Sequence, residues 1–251
     1  MPRFFVTSSQ IGTKDNGDKT VMILGGDADH ITRSLRMKPG ERIVVCDMAR
    51  VEYDCVIDSV GEKVIADVVN EHESFSEPPY RATLYQALIK GDKFDTVVQK
   101  AVECGVCRIV PVLTDRCVVR LTKKECEKKV ARWQRIADEA AKQCGRGALV
   151  SVEDMMTYKE ALSDASGADL ALFCYEGEEE LSLKSILEEC TATPETVSFF
   201  IGSEGGFSLE EAQLAEKAGL VSTGLGRRIL RTETASSFLL ACLSYRFEMN
   251  S

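Results

Sequence analysis

The chain has almost no histidine: two, His30 and His72, among 251 residues. That scarcity argues against Cys-His or Ser-His catalysis, which needs a histidine base beside the nucleophile. His30 alone stays available for such a role. The sequence also lacks any apolar run near the roughly 18 residues of a membrane span, and its opening MPRFFVTSSQ has no apolar signal region. A cytoplasmic protein without membrane contact is therefore expected. Cysteines in a framework are missing too. Ten are scattered from Cys46 to Cys242, and the one close pair, Cys104 and Cys107 in ECGVC, has no second pair at zinc-finger spacing. No metal site is expected, and most of the thiols read as small buried hydrophobes. Nor is there an excess of positive charge. A net charge of −9 argues against a general, sequence-blind nucleic-acid binder, though not against a local basic patch on an acidic body.

What is present is an ordinary globular composition and a change of rhythm along the chain. The length allows one large domain or two modest ones. Residues 1 to about 72 carry short alternating or β-branched runs (RFFVT, TVMIL, RIVVCD, EYDCVID, KVIADVV) separated by turn signals such as Pro39-Gly40. Only GDADHITRSLR reads as a short helix, with Asp27 as N-cap and Ile31 and Leu35 on one face. This is the pattern of a small β-barrel-like domain. Residues 73–81, ending in Pro78-Pro79-Tyr80-Arg81, read as a linker, because paired prolines forbid helix.

From Ala82 strand-like runs alternate with amphipathic helices. The spacing predicts helices over about 93–104, 123–144, 158–165, 181–189 and 209–217, and a last one ending near Phe247. Such alternation implies an α/β domain over 82–251 with a mostly parallel sheet covered on both faces. Ligands of such sheets bind beyond the carboxyl ends of the strands. Two late loops there are glycine-rich: GSEGGFS at Gly202–Ser208 and GLG at Gly224–Gly226. Neither is a Walker A loop, and neither has dinucleotide-fingerprint spacing. They read either as tight turns or as backbone that approaches a ligand closely.

The second loop runs into LGRRILRTETASS, which sets three arginines beside an apolar pair and a helix start. Here a specific resemblance appears. IGSEGGFSLEEAQLAEKAG followed by LGRRILRTETA resembles the ribosomal RNA small subunit methyltransferase E family, as do the flanking MPRFFV, HITRSLRMKPGE, QKAVECGVCRIVP and ADEAAKQCGR. Ser203 stands where a proline is common in that family and Cys144 where a serine is, and GALVSV lacks a usual proline. None of these departures removes a charged group. The resemblance implies a SPOUT-type domain with a deep trefoil knot over 82–251 and a PUA-like RNA-binding β-barrel over 1–72. It also implies a homodimer, and S-adenosylmethionine-dependent methylation of uridine N3 in small-subunit ribosomal RNA. Another SPOUT enzyme acting on transfer RNA or a ribose hydroxyl, or a non-catalytic ribosome-assembly factor, stands as the alternative.

On that resemblance the cofactor residues would be Leu172, Phe173, Gly202, Glu204, Gly205, Gly206, Leu225, Gly226, Ile229, Leu230 and Thr232. Ile229, Leu230, Leu172 and Phe173 read equally as core. Arg231 and Arg146 would face the RNA, since a guanidinium fork suits phosphate, unless each is spent in an internal ion pair. Arg227 and Arg228 read as solvated. His30, Arg33, Arg36 and Lys38 form a basic cluster that is either an RNA foothold or a solvated face. Glu204 and Glu233 are the candidate bases, with Arg231 and Arg146 completing the catalytic set. Thr232 or Thr234 should cap the last helix.

Overall fold

A computed structural model describes residues 1–119, 121–177 and 181–249. These divide into two compact units, Met1–Glu77 with Ala141–Leu149, and Pro78–Ala140 with Val150–Ser251.

The first unit contains β1 (Arg3–Phe5), β2 (Ile11–Thr13), β3 (Lys19–Ile23), α1 (Gly25–Asp29), β4 (Arg42–Cys46), β5 (Val51–Ser59) and β6 (Val64–Glu73). They form one sheet in the order β1-β4-β5-β6-β3-β2, in which only the β1–β4 pair is parallel. The edge strands β1 and β2 are consecutive in the chain. A flat sheet would hold them about 24 Å apart at the usual strand spacing, while the helical turn at Ser8–Gln10 shortens the link between them. The sheet must therefore curl, and Val21, Ile23, Ile43, Val45, Ile57 and Val64 fill its concave side with Ile31.

Two local expectations fail in this unit. Asp27 does not cap α1; Leu24 holds the cap position, and the Asp27 carboxylate pairs with Lys142 at 2.9 Å. Leu35 does not share the buried face of Ile31: it is exposed, next to Arg36 in the left-handed region at φ 53°. The stretch read as a linker is packed. Ser74 donates to Glu52, and Glu77 takes Arg146 into a bidentate ion pair. Residues 141–149 join this unit because Glu77 also accepts from the backbone amides of Gly147 and Ala148. Tyr80 belongs to the second unit, where its hydroxyl donates to Glu248.

The second unit contains β7 (Arg81–Ala87), α2 (Lys93–Glu103), β8 (Val106–Leu113), α3 (Lys123–Cys144, of which residues 141–144 belong to the first unit), β9 (Ser151–Val152), β10 (Met156–Thr157), α4 (Tyr158–Ala165) and β11 (Leu170–Cys174). It continues with α5 (Leu183–Glu189), β12 (Thr196–Ile201), α6 (Leu209–Lys217), β13 (Val221–Thr223) and α7 (Thr232–Phe247). Strand order is β10-β8-β7-β12-β11-β13, with β9 also on β8, and every pair is parallel. Strands of such a sheet are buried on both faces, which is why they read as continuous apolar runs. Tyr85 stacks on Phe200 at 4.6 Å between ring centres, and Phe173 packs on Phe207 at 4.4 Å. Ser208 and Glu211 form the capping box that starts α6.

The ten cysteines are free thiols, and only Cys46, Cys55 and Cys117 are fully buried. Burial pushes the Cys46 thiol up to about 11 and the Cys55 thiol up to about 12, so neither is a nucleophile at neutral pH. The remaining seven are half-buried, more open than small core hydrophobes.

Candidate active site

Strands β11, β12 and β13 are neighbours, and their carboxyl ends lie level: Phe173 pairs with Phe200, and Cys174 with Thr223. The loops that leave those ends enclose a cavity of about 200 Å³. Residues 174–176 line it from β11, and Ile201, Gly202, Ser203, Gly206 and Phe207 from β12. The stretch from Gly224 to Leu230, with Thr232 and Ala235 of α7, completes the wall.

The loop after β12 is a tight turn in which the Gly206 amide donates to the Ser203 carbonyl at 3.0 Å. Gly206 sits at φ +67°, a conformation glycine adopts without strain. A side chain at Gly202 would come within 3.1 Å of the Gly206 Cα, so the two ends of the turn touch through bare backbone. Arg116 holds the turn from outside by donating to the Gly205 carbonyl at 2.8 Å. Thr232 holds it from within, donating to the Gly202 carbonyl at 2.6 Å and accepting from Gln86 Nε2 at 3.0 Å.

Seven of the eleven expected cofactor residues share this cavity: Gly202, Gly206, Leu225, Gly226, Ile229, Leu230 and Thr232. Leu172 and Phe173 do not. Both are fully buried inside β11, which runs on to Cys174, so the residues that reach the cavity are Cys174, Tyr175 and Glu176. Gly205 and Glu204 face away at the tip of the turn. The Glu204 carboxylate accepts from Lys93 Nζ at 3.2 Å and from the Lys90 amide at 3.3 Å. Partial burial works to raise its pKa, but those hydrogen bonds and its own amide prevail and lower it. A carboxylate so held is a weak base. Ile229 is not core either, with 90% of its surface exposed at the cavity rim. Arg227 and Arg228, read as merely solvated, line the cavity while remaining exposed.

Neither Thr232 nor Thr234 caps α7. Arg231 is the N-cap residue, and its carbonyl accepts from the Thr234 and Ala235 amides. The Arg231 side chain is exposed and has no hydrogen bond or ion pair among the described residues. Glu233 lies outside the cavity lining, and its Oε2 is buried with no hydrogen-bond partner among the described residues. Arg146 is different from expectation: 3% exposed and bidentate to Glu77, it has no free fork for a phosphate. In the first unit His30, Arg33, Arg36 and Lys38 are all exposed, and Arg33 is bridged to Asp29 at 3.3 Å. Arg33 also lines a broad cleft of about 1020 Å³ with Leu24, Val60 and Lys63.

The chain thus combines a parallel α/β unit, with a glycine-built cavity at the carboxyl edge of its sheet, and a curled β unit. Residues 76–244 match the family model for an RNA methyltransferase domain, and residues 23–66 that for an RNA methyltransferase PUA domain. Ribosomal RNA small subunit methyltransferase E of Bacillus subtilis (strain 168) is 32% identical over 255 residues, covering 99% of this chain and 98% of its own. The protein of that name from Mesomycoplasma hyopneumoniae (strain 232) is 33% identical over 176 residues, 70% of this chain and 74% of its own. Among solved structures, the Neisseria gonorrhoeae ribosomal RNA small subunit methyltransferase E bound to S-adenosylmethionine superposes with a TM-score of 0.81. It is 30% identical, over 98% of this chain and 97% of that one. The chain is an α/β RNA methyltransferase with a PUA-like N-terminal domain. It belongs to the ribosomal RNA small subunit methyltransferase E family.

Proposed function

We propose that this chain transfers a methyl group from S-adenosylmethionine to N3 of a uridine in small-subunit ribosomal RNA, acting as a homodimer in the cytoplasm. The observation that carries the reading is the cavity at the ends of β11, β12 and β13, whose residues suit the donor. The tight turn at Gly202 and Gly206 offers backbone groups to the cavity, Leu225 and Leu230 supply apolar wall, and the rim carries charge of both signs. Bound there, the cofactor supplies an electrophilic methyl on a sulfonium.

The protein's part is to orient and to exclude water. Glu204 is committed to Lys93 and Lys90, and Glu233 is outside the lining, which supports a mechanism without a carboxylate base. Acceleration then rests chiefly on holding two reactants in line, which is worth up to about 7–11 kcal/mol in well-oriented systems. The exposure of Arg231, one residue before the cavity-lining Thr232, supports a role in taking an RNA phosphate. The loops at 202–207 and 224–230 are the ones a knotted crossing would join around the donor. A uracil must leave its stack to reach them.

The dimer reading rests on an apolar groove of about 500 Å³ between α5 and α7, lined by Leu183, Leu187, Phe238 and Tyr245. It shares Gly224, Leu225 and Gly226 with the cofactor cavity, so covering it would also brace the cofactor loop.

Incubating the purified chain with small-subunit particles and isotope-labelled S-adenosylmethionine, then analysing nucleosides, tests the assignment. Label in 3-methyluridine is expected. Label in a 2′-O-methyl nucleoside, or none with bound cofactor, would overturn it.

A further inference from the structure

The cavity wall carries an acid that the sequence pattern does not single out. Glu176 lies two residues past the end of β11 and lines the cavity. Its carboxylate rests directly on the glycine turn: a side-chain carbon built on Gly206 would stand 2.7 Å from Oε1 and 2.9 Å from Oε2. The bare backbone of Gly206 therefore makes room for this carboxylate.

Glu176 has no hydrogen bond and no ion pair with any described residue, although Arg227 and Arg228 line the same cavity. All three side chains are exposed on that wall, so water solvates them and their charges are free to meet a ligand. A ligand with separated charges of both signs would complement them, which a neutral ring alone would not.

We propose that the Glu176 carboxylate is the residue that reads the positive charge on the methionine part of S-adenosylmethionine. The assignment rests on the methyl-donor reading above. The shared chemistry is a cation facing a carboxylate, and it has two sources in that ligand, the sulfonium and the α-ammonium. Arg227 and Arg228 are the complementary cations for the ligand's α-carboxylate. A carboxylate facing a sulfonium also favours the charged donor over the neutral thioether product, which would help exchange after methyl transfer.

Isothermal titration of the full chain and of Glu176→Gln with S-adenosylmethionine, S-adenosylhomocysteine and adenosine tests this. The variant keeps the size of the side chain and removes only its charge. A charge-assisted contact predicts a loss of about tenfold to a hundredfold in S-adenosylmethionine affinity, with adenosine affinity unchanged. If S-adenosylhomocysteine, which keeps the ammonium and lacks the sulfonium, weakens equally, the ammonium is the group read; if it is unaffected, the sulfonium is. Unchanged S-adenosylmethionine affinity would overturn the proposal, as would an equal loss for adenosine, which assigns Glu176 to the ribose or the turn. A parent chain that binds no S-adenosylmethionine sinks the methyl-donor reading and this assignment with it. Binding by the parent with no change in the variant sinks this assignment alone.

Discussion

The Thr232 hydroxyl donates to the Gly202 carbonyl at 2.6 Å, across 30 residues of chain. One hydrogen bond thus ties the first residue of α7 to the first glycine after β12, and Gln86 Nε2 at 3.0 Å completes the junction. Thr232→Val keeps the shape and removes the hydroxyl, and with it the short bond to the Gly202 carbonyl and one of the acceptors of Gln86 Nε2. A loss of about 1–2 kcal/mol in unfolding free energy is expected. S-adenosylmethionine affinity should fall several-fold, because the turn is no longer held. Denaturant unfolding and titration calorimetry check the two effects separately.

Glu77 and Arg146 are the most buried ion pair among the described residues, with side chains 3% and 4% exposed. Removing one partner strands the other, which costs about 3–5 kcal/mol in such sites. Arg146→Met should therefore destabilise the fold before it affects RNA affinity. Burial alone would raise the Glu77 pKa, but Arg146 and the Gly147 and Ala148 amides outweigh it and hold the carboxyl below its ordinary 4.5. A carboxyl depressed in the folded state stabilises above its unfolded pKa and loses that contribution as pH falls through the folded value. The pair's contribution should thus be complete above about pH 5 and fade below 4.5, and Glu77→Gln should flatten that acid limb. Unfolding curves from pH 6 to pH 3 measure it.

Arg231 is exposed at the N-cap of α7. Arg231→Ala should weaken binding to small-subunit RNA and reduce the slope of log affinity against log salt by about one. S-adenosylmethionine affinity should stay unchanged, since the side chain lies outside the cavity lining. Fluorescence anisotropy over a salt series gives the slope.

Phe238 and Tyr245 are 37% and 68% exposed in the apolar groove along α7. Placing a charge there with Phe238→Glu or Tyr245→Glu should convert a dimer to monomer. Sedimentation equilibrium reads the outcome, and a parent chain that is already monomeric would reject the dimer.

Much of the second unit was legible because its signals are local. Apolar spacing located α2, α3, α4 and α6 within about a residue, and Ser208 with Glu211 marked a helix start. The glycines of the two late loops pointed to the cavity because they follow buried strands. What escaped depends on partners distant in sequence. Asp27 looks like a cap until Lys142 takes it, and Arg146 looks like a phosphate fork until Glu77 does. The strand containing Leu172 and Phe173 was recognisable, but its end was not, and a shift of one or two residues moved the lining to Cys174–Glu176. Glu176 itself sits in a charged, glycine-bearing stretch that reads as plain loop. Only its approach to Gly206, 30 positions further on, reveals it.

The central claim is tested most directly by mass spectrometry of small-subunit ribosomal RNA nucleosides from cells that lack this chain. Loss of 3-methyluridine is predicted, restored by the parent sequence and not by Gly226→Val, which puts a β-branched residue at φ +102° in a loop that lines the cavity. Unchanged 3-methyluridine in the deleted cells would contradict the account.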